Sequence, residues 1–83
     1  MPSYEKLIRN IINNPKDRPV RELETIFRRE GYGRVKGKRG SHQFYTNGEI
    51  TISIVVHDKK VKRWYVESVI EILNLREKYC EES

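Results

Sequence analysis

The chain has 83 residues, of which 36% are hydrophobic and 35% charged, and its formal net charge is +5. A chain of this length buries only roughly 60% of the surface that its unfolded form exposes, so we expect one domain with a small core over residues 1–83. No apolar run approaches the roughly 20 residues of a membrane span, and early charges exclude a signal peptide, which together predict a cytoplasmic protein. The single cysteine, Cys80, excludes an intrachain disulfide and a cysteine-based metal cluster.

An additional N-terminal helix is predicted over residues 1–14. Apolar residues from Tyr4 to Ile12 recur with i, i+3, i+4, i+7, i+8 spacing, which places them on one helical face. Ser3 can cap the first turn. Asn14-Pro15 ends the helix, because proline disfavours the helical conformation in the residue before it.

A second helix follows a short linker at residues 16–18. Pro19 suits its first turn, where the missing N–H costs nothing, and Gly31 is a predicted C-terminal cap. The buried stripe of this helix consists of Val20, Leu23, Ile26 and Phe27.

The pattern then changes to the two-residue alternation of strands, which predicts strands over residues 32–36, 41–46 and 49–56. Asn47-Gly48 favours a two-residue type I′ turn between the last two strands, because both turn positions need positive φ. In the resulting register, Tyr45 faces Ile50 and His42 faces Ser53.

That register assigns side chains to two faces of the hairpin. The apolar face, which should lie under the helices, carries Tyr45, Ile50, Ile52 and Ile54. The opposite face is predicted to stay open and carries His42, Phe44, Thr51 and Ser53.

A third helix is predicted after the basic segment 57–63, with an apolar stripe formed by Val66, Val69, Ile70 and Leu73. Residues 77–83 are expected to form a frayed tail. The predicted fold is α+β in the order α-α-β-β-β-α, with a three-stranded antiparallel sheet and helices packed on one face.

The positive charge is concentrated in the middle of the sequence. Between Arg34 and Arg63 lie eight cations and two acids, so this segment carries +6 and the remainder −1. Such a patch favours a polyanion, and nucleic acid is the commonest one in cells. A merely solvated basic surface is the alternative interpretation.

The residues before the second strand are typical of a site that acts on a phosphodiester. Two glycines let the cationic loop at residues 36–40 bring its backbone close to a phosphate, and His42 follows directly. An imidazole titrates near neutrality, so His42 can take a proton from a hydroxyl or give one to a leaving oxygen. Neighbouring cations would stabilise the developing charge, with Lys36, Lys38, Arg39, Lys60 and Arg63 as candidates.

The Gly40-Ser41-His42 segment with its following aromatic residues, preceded by a basic loop, a helix and the Gly31-Tyr32 pair, resembles the HicA toxins. The resemblance extends from about Val20 to Leu73. It implies a fold similar to double-stranded-RNA-binding domains and a ribonuclease that cleaves messenger RNA without a metal or other cofactor. It further implies His42 as the catalytic residue, a monomer when free, and a HicB-type antitoxin as the partner that covers the active face.

The expected phosphate-binding set lies on both sides of the histidine and comprises Lys36, Lys38, Arg39, Gly40, Ser41, Lys59, Lys60, Lys62 and Arg63. The sequence departs from the family pattern at Gln43, where many relatives have a second histidine. It also lacks the proline often found in the third strand, where the chain here reads Ile54-Val55-Val56-His57.

Several residues have more than one interpretation. His57 shares the face of His42 and could act as a second acid or base, or only as a strand-end residue near phosphate. Trp64 and Tyr65 could stack on bases, although aromatics at this position more often belong to a core or interface. Glu67, Glu71 and Glu77 have no histidine at metal-ligand spacing, so we expect no metal site.

Two other functions remain open on the sequence alone. A non-catalytic RNA-binding module of the double-stranded-RNA type has the same helix, three-strand and helix order, but it has no evident need for His42. A protein–protein module that binds an acidic partner through its basic face is the third possibility.

Overall fold

In the computed structural model, which describes residues 3–36 and 42–79, helices cover one face of an antiparallel sheet. The α+β class is therefore confirmed. The elements are α1 (Tyr4–Asn13), β1 (Arg18–Pro19), α2 (Val20–Arg29), β2 (Gly33–Arg34), β3 (His42–Thr46), β4 (Thr51–His57), β5 (Lys60–Val61), α3 (Arg63–Ile72) and α4 (Leu75–Tyr79).

The two predicted N-terminal helices form, with caps that explain their ends. The Ser3 hydroxyl accepts a hydrogen bond from the Lys6 N–H at 3.2 Å, which satisfies one free donor of the first turn of α1. At the end of α2, Gly31 has φ +88, and the Tyr32 N–H reaches back to the Phe27 carbonyl at 2.8 Å. This is a Schellman cap, which favours glycine because only glycine adopts this φ without strain.

The sheet has more strands in the described residues than the three predicted, in the order β1-β5-β4-β3-β2. The two unexpected strands, β1 and β5, pair with each other through Arg18↔Val61 and Pro19↔Lys60. Pro19 therefore lies one residue before α2, as its N-cap and as part of an edge strand, and not in the first turn as predicted. The first predicted strand is shorter than expected and contains Gly33–Arg34.

The predicted register of the β3–β4 hairpin is wrong by two residues. Thr46 pairs with Thr51 and His42 with Val55, so the reversal is centred on Gly48 and Glu49. The cause is the Asn47 side chain, whose Oδ1 accepts the N–H groups of Glu49 and Ile50, both at 2.8 Å. That local hydrogen bonding replaces the type I′ turn predicted at Asn47-Gly48.

The shift leaves both predicted faces intact, because a displacement by two residues preserves the alternation of a strand. Tyr45, Ile52 and Ile54 are buried under the helices as predicted. Ile50 is the exception: it lies in the turn and is 43% exposed, so it does not belong to the core.

The core connects the sheet to α2 through stacked aromatic rings. The rings of Phe27 and Tyr45 lie 4.1 Å apart between centroids with an interplanar angle of 11°, and both residues are buried. The predicted stripe of α3 is also buried, whereas Trp64 is 73% exposed and Tyr65 packs partly against the core. Neither aromatic residue at the start of α3 is therefore fully buried, and only Tyr65 behaves as a core neighbour.

The frayed tail predicted from Glu77 is wrong for the residues up to Tyr79, which belong to α4. The Glu30 carboxylate, at the end of α2, accepts hydrogen bonds from the hydroxyls of Tyr4 and Tyr79 at 2.9 Å each and from Lys78 Nζ at 2.8 Å. The side chain of Glu30 is only 7% exposed. These contacts, which we call the Glu30 cluster, join α1, α2 and α4.

Burial by itself raises the pKa of the Glu30 carboxyl, but the hydrogen bonds from Lys78, Tyr79 and Tyr4 outweigh it and lower that pKa overall. The same bond to Glu30 raises the pKa of Lys78. The ring of Tyr4 also packs edge-to-face on Tyr79, with centroids 5.4 Å apart. The cluster is thus a fully paired charge at the junction of three helices.

Candidate nucleic-acid interface on the open sheet face

The open face of the sheet presents His42 to solvent. His42 is the first residue of β3 and is exposed, while Tyr45 on the same strand is buried against Phe27. Since strand residues alternate between faces, the Tyr45 anchor in the core directs His42, three positions earlier, to the opposite side. The histidine is therefore directed to the open face by its position in β3 and remains accessible.

The observed register brings the two histidines of the chain together on this face. His42 pairs with Val55, so His57 is the diagonal neighbour of His42, and both are exposed. Diagonal neighbours on antiparallel strands lie about 7–8 Å apart. In the predicted register, His42 faced Ser53 and His57 lay a further two residues away, so the structure places the pair closer than the sequence analysis implied.

Gln43, the position where a second histidine is common in the family pattern, points to the other face. Its side-chain oxygen accepts a hydrogen bond from the Tyr45 hydroxyl at 3.1 Å. The departure at position 43 therefore lies away from His42 and on the helix-covered side.

The basic hairpin between β4 and β5 carries the second set of predicted phosphate ligands. Asp58 and Lys59 have φ +54 and +63, and His57 pairs with Lys60, so the tight two-residue turn lies here and not at Asn47-Gly48. The Lys59 carbonyl accepts the Val20 N–H at 2.8 Å, which fastens the turn to the start of α2. Lys59 and Lys60 are both exposed.

The remaining predicted phosphate ligands differ in their surroundings. Lys36 and Lys62 are exposed, and Lys62 is the N-cap residue of α3. Arg63 forms an exposed ion pair with Glu67 at 2.8 Å, so part of its charge is already paired. Lys38, Arg39, Gly40 and Ser41 lie outside the described residues.

Arg21 is a cation near this hairpin that the sequence analysis did not select. It lines a groove of about 270 Å³ with Pro19, Val20, Asp58, Lys59 and Lys60. The groove exists because β1 pairs with β5, and two-residue strands leave no pattern in a sequence. Nothing in the sequence order links position 21 to positions 59 and 60.

A second group of cations lies at the other edge of the sheet. Arg28 and Arg34 line a groove of about 260 Å³ together with Glu24, Tyr32, Gly33 and Tyr45. Arg34 belongs to the basic segment of the sequence, whereas Arg28 lies on α2 outside it. Because Arg34 pairs with Tyr45, this second group lies at the β2 edge on the helix-covered side, whereas Lys60, the partner of His57, lies on the open face.

The open face thus carries two exposed imidazoles with cations nearby. General acid–base catalysis at a phosphodiester uses imidazole side chains for proton transfer and cations to stabilise charge on the phosphoryl oxygens. Among the residues that the structure describes, no three histidine, cysteine or acidic side chains group together as metal ligands. None of the helices in residues 3–36 and 42–79 is long and apolar enough to cross a membrane.

The fold and the site define a small α+β domain, compatible with a double-stranded-RNA-binding-domain-like architecture, that exposes two histidines on its open sheet face next to a basic hairpin. The chain belongs to a family described as the HicA toxin of bacterial toxin–antitoxin systems, whose model matches residues 20–75, more than half of the chain. No curated protein and no solved structure gave a significant match. The match begins at the first residue of α2, so α1 lies outside it.

Proposed function

We propose that this protein is a metal-independent endoribonuclease that cleaves messenger RNA in the cytoplasm and so inhibits translation, and that a HicB-type antitoxin neutralises it. Membership of the HicA family supports a toxin role. The observation that carries the catalytic part is His42, an exposed imidazole on the open sheet face, on the side where Lys60 of the β4–β5 hairpin pairs with His57.

The chemistry assigns His42 to proton transfer. The imidazole accepts a proton from the attacking hydroxyl, either a ribose 2′-OH or water, or donates one to the departing oxygen. We assign the complementary proton transfer to His57, which is the diagonal neighbour of His42; a His57 that only contacts phosphate at the strand end is the alternative. Lys59 and Lys60 hold the adjacent phosphates and favour the extra negative charge of the transition state.

The first experiment compares wild type with His42→Ala, both expressed from a tightly repressed promoter. We expect growth arrest and fragmented messenger RNA with wild type only, because loss of a general acid or base lowers the cleavage rate roughly 10²- to 10⁴-fold. Thr51→Ala is the matched control, since Thr51 is also exposed on the open face but lies at the far end of β4. Its toxicity should equal that of wild type.

The purified proteins distinguish the remaining functions. His42→Ala that is folded and still binds RNA, with cleavage lost, supports the ribonuclease. Wild type that binds RNA and cuts none would instead favour the non-catalytic RNA-binding module. A folded His42→Ala variant as toxic as the parent would refute the assignment of His42.

A further inference from the structure

The open face carries one aromatic side chain in β3 and β4, and the proposed proton-transfer chemistry does not use it. Phe44 lies two residues after His42 on the same strand and the same face, and it is half-buried. Residues at this spacing are about 7 Å apart along a strand. An aromatic ring therefore lies beside the exposed imidazole, on the side of the sheet that the helices do not cover.

The neighbours of Phe44 on the adjacent strands make an apolar strip within this polar face. The Val35 N–H donates to the Phe44 carbonyl at 2.8 Å, which places Val35 opposite Phe44 on one side, and Ser53 pairs with Phe44 on the other. Val35 is 38% exposed although it is apolar. Val55, the diagonal neighbour of Phe44, is also only half-buried. Apolar surface left accessible on an open sheet face is typical of a binding site.

We propose that Phe44 is a stacking site for an unpaired base, and that the substrate is single-stranded RNA whose neighbouring phosphate lies at His42. This inference rests on the proposed function. Every base has a π-face that can stack on an aromatic ring, so the site binds without demanding one sequence. Bases within a duplex are already stacked on one another and cannot reach the ring, and the site therefore selects single strands.

Charge favours a nucleotide over an apolar peptide as the occupant of this strip. The segment from Arg34 to Arg63, which contributes β3, β4 and the basic hairpin, carries a formal charge of +6. On the open face, Lys60 pairs with His57, and Lys59 lies in the adjoining turn. A ring followed along the face by cations matches the alternation of base and phosphate along a single strand.

The experiment measures binding in the His42→Ala background, where the RNA stays intact. The probes are a fluorescein-labelled 12-nucleotide single-stranded RNA and the duplex that it forms with its complement. Phe44→Leu, which keeps an apolar side chain but removes the ring, should weaken single-strand binding roughly 5- to 150-fold and leave duplex binding within about twofold. Phe44→Tyr, which retains a ring, should bind the single strand nearly as tightly as the parent.

Ile72→Ala is the matched control, because Ile72 is an exposed apolar side chain of α3, on the helix layer, to which no role in RNA binding is assigned. It should change neither affinity. A second readout uses a single strand containing 2-aminopurine, whose emission is quenched when it stacks on a ring. Quenching should occur with the parent and with the Phe44→Tyr variant, and it should be lost in a Phe44→Leu variant of equal melting temperature.

Equal loss of single-strand and duplex binding, or no loss at all, would overturn the base site. So would a Phe44→Leu protein that binds RNA normally but no longer forms a complex with its antitoxin, since the strip would then be a protein interface. The proposed function can fail independently of the base site. If RNA binding depends on Phe44 but no cleavage depends on His42, the base site is supported and the ribonuclease activity is refuted. Cleavage by Phe44→Leu with unchanged KM removes the base site alone.

Discussion

The two faces of the β3–β4 hairpin come from alternating residues of the same two strands, yet they have opposite properties. Tyr45, Ile52 and Ile54 are buried and connect the sheet to the helices. His42 and Ser53, on the other face of the same strands, are exposed. Strand alternation therefore separates the core residues from the proposed site, so substitutions on one face should leave the property of the other largely unchanged.

Ile54→Ala should give the largest effect and test the core face directly. Ile54 is 0% exposed, and replacing a buried isoleucine by alanine removes apolar contact and leaves a cavity. We expect a loss of about 2–5 kcal/mol in the free energy of unfolding, measured by urea denaturation. Val55→Ala, at the next residue but on the open face, is the control and should cost about 1 kcal/mol or less. Equal losses at the two positions would contradict the separation of the faces.

Glu30→Gln should have an intermediate effect, at a site remote from the open face. The substitution removes the charge that accepts bonds from Tyr4, Lys78 and Tyr79, and we expect a loss of about 1–3 kcal/mol at neutral pH. RNA cleavage at a temperature where both proteins are folded should not change. A variant that is as stable as wild type would show that the Glu30 cluster contributes nothing to folding.

The pH dependence of the free energy of unfolding gives a second test of the Glu30 carboxylate. The folded pKa of Glu30 is lowered, so its contribution is fully present above the unfolded value of about 4.3 and is lost as the pH falls through the folded pKa. Wild type should therefore lose more stability than Glu30→Gln between neutral and strongly acidic conditions. Parallel curves for the two proteins in urea denaturation would argue against the paired carboxylate.

His57→Ala should have the smallest effect on stability and a large effect on activity. His57 is exposed at the end of β4, so the free energy of unfolding should change by no more than about 0.5 kcal/mol. If His57 performs the second proton transfer, the cleavage rate should fall roughly 10²- to 10⁴-fold, and one limb of the pH–rate profile should disappear. Cleavage at the wild-type rate would exclude the two-histidine chemistry and leave His42 unaffected.

Much of the fold was accessible from the sequence because periodicity is a local property. The stripes of α1, α2 and α3 and the two faces of the hairpin followed from spacing alone. The strand partners did not, because the Asn47 side chain captures two backbone N–H groups and moves the turn by one position. The two faces of the hairpin are unchanged, because a register shift of two residues keeps each side chain on its predicted face.

Part of the candidate site could also be predicted from the sequence, because residue types, like periodicity, are local information. His42 and the lysines near it stand out by residue type, and the family resemblance selects among them. Arg21 does not stand out, because its proximity to Lys59 and Lys60 depends on the short β1–β5 pairing. The short distance between His57 and His42 likewise depends on the strand register, which the Asn47-Gly48 dipeptide did not predict correctly.

The Glu30 cluster has a consequence for how this chain could be shortened. The family match covers residues 20–75, whereas Tyr4, Lys78 and Tyr79 lie beyond it on both sides and all bind the same carboxylate inside it. Deleting either terminal helix would leave a nearly buried negative charge with part of its hydrogen bonds missing. The helices α1 and α4 therefore depend on each other through Glu30. A shortened chain should keep both helices, or lack both and carry a compensating substitution at position 30.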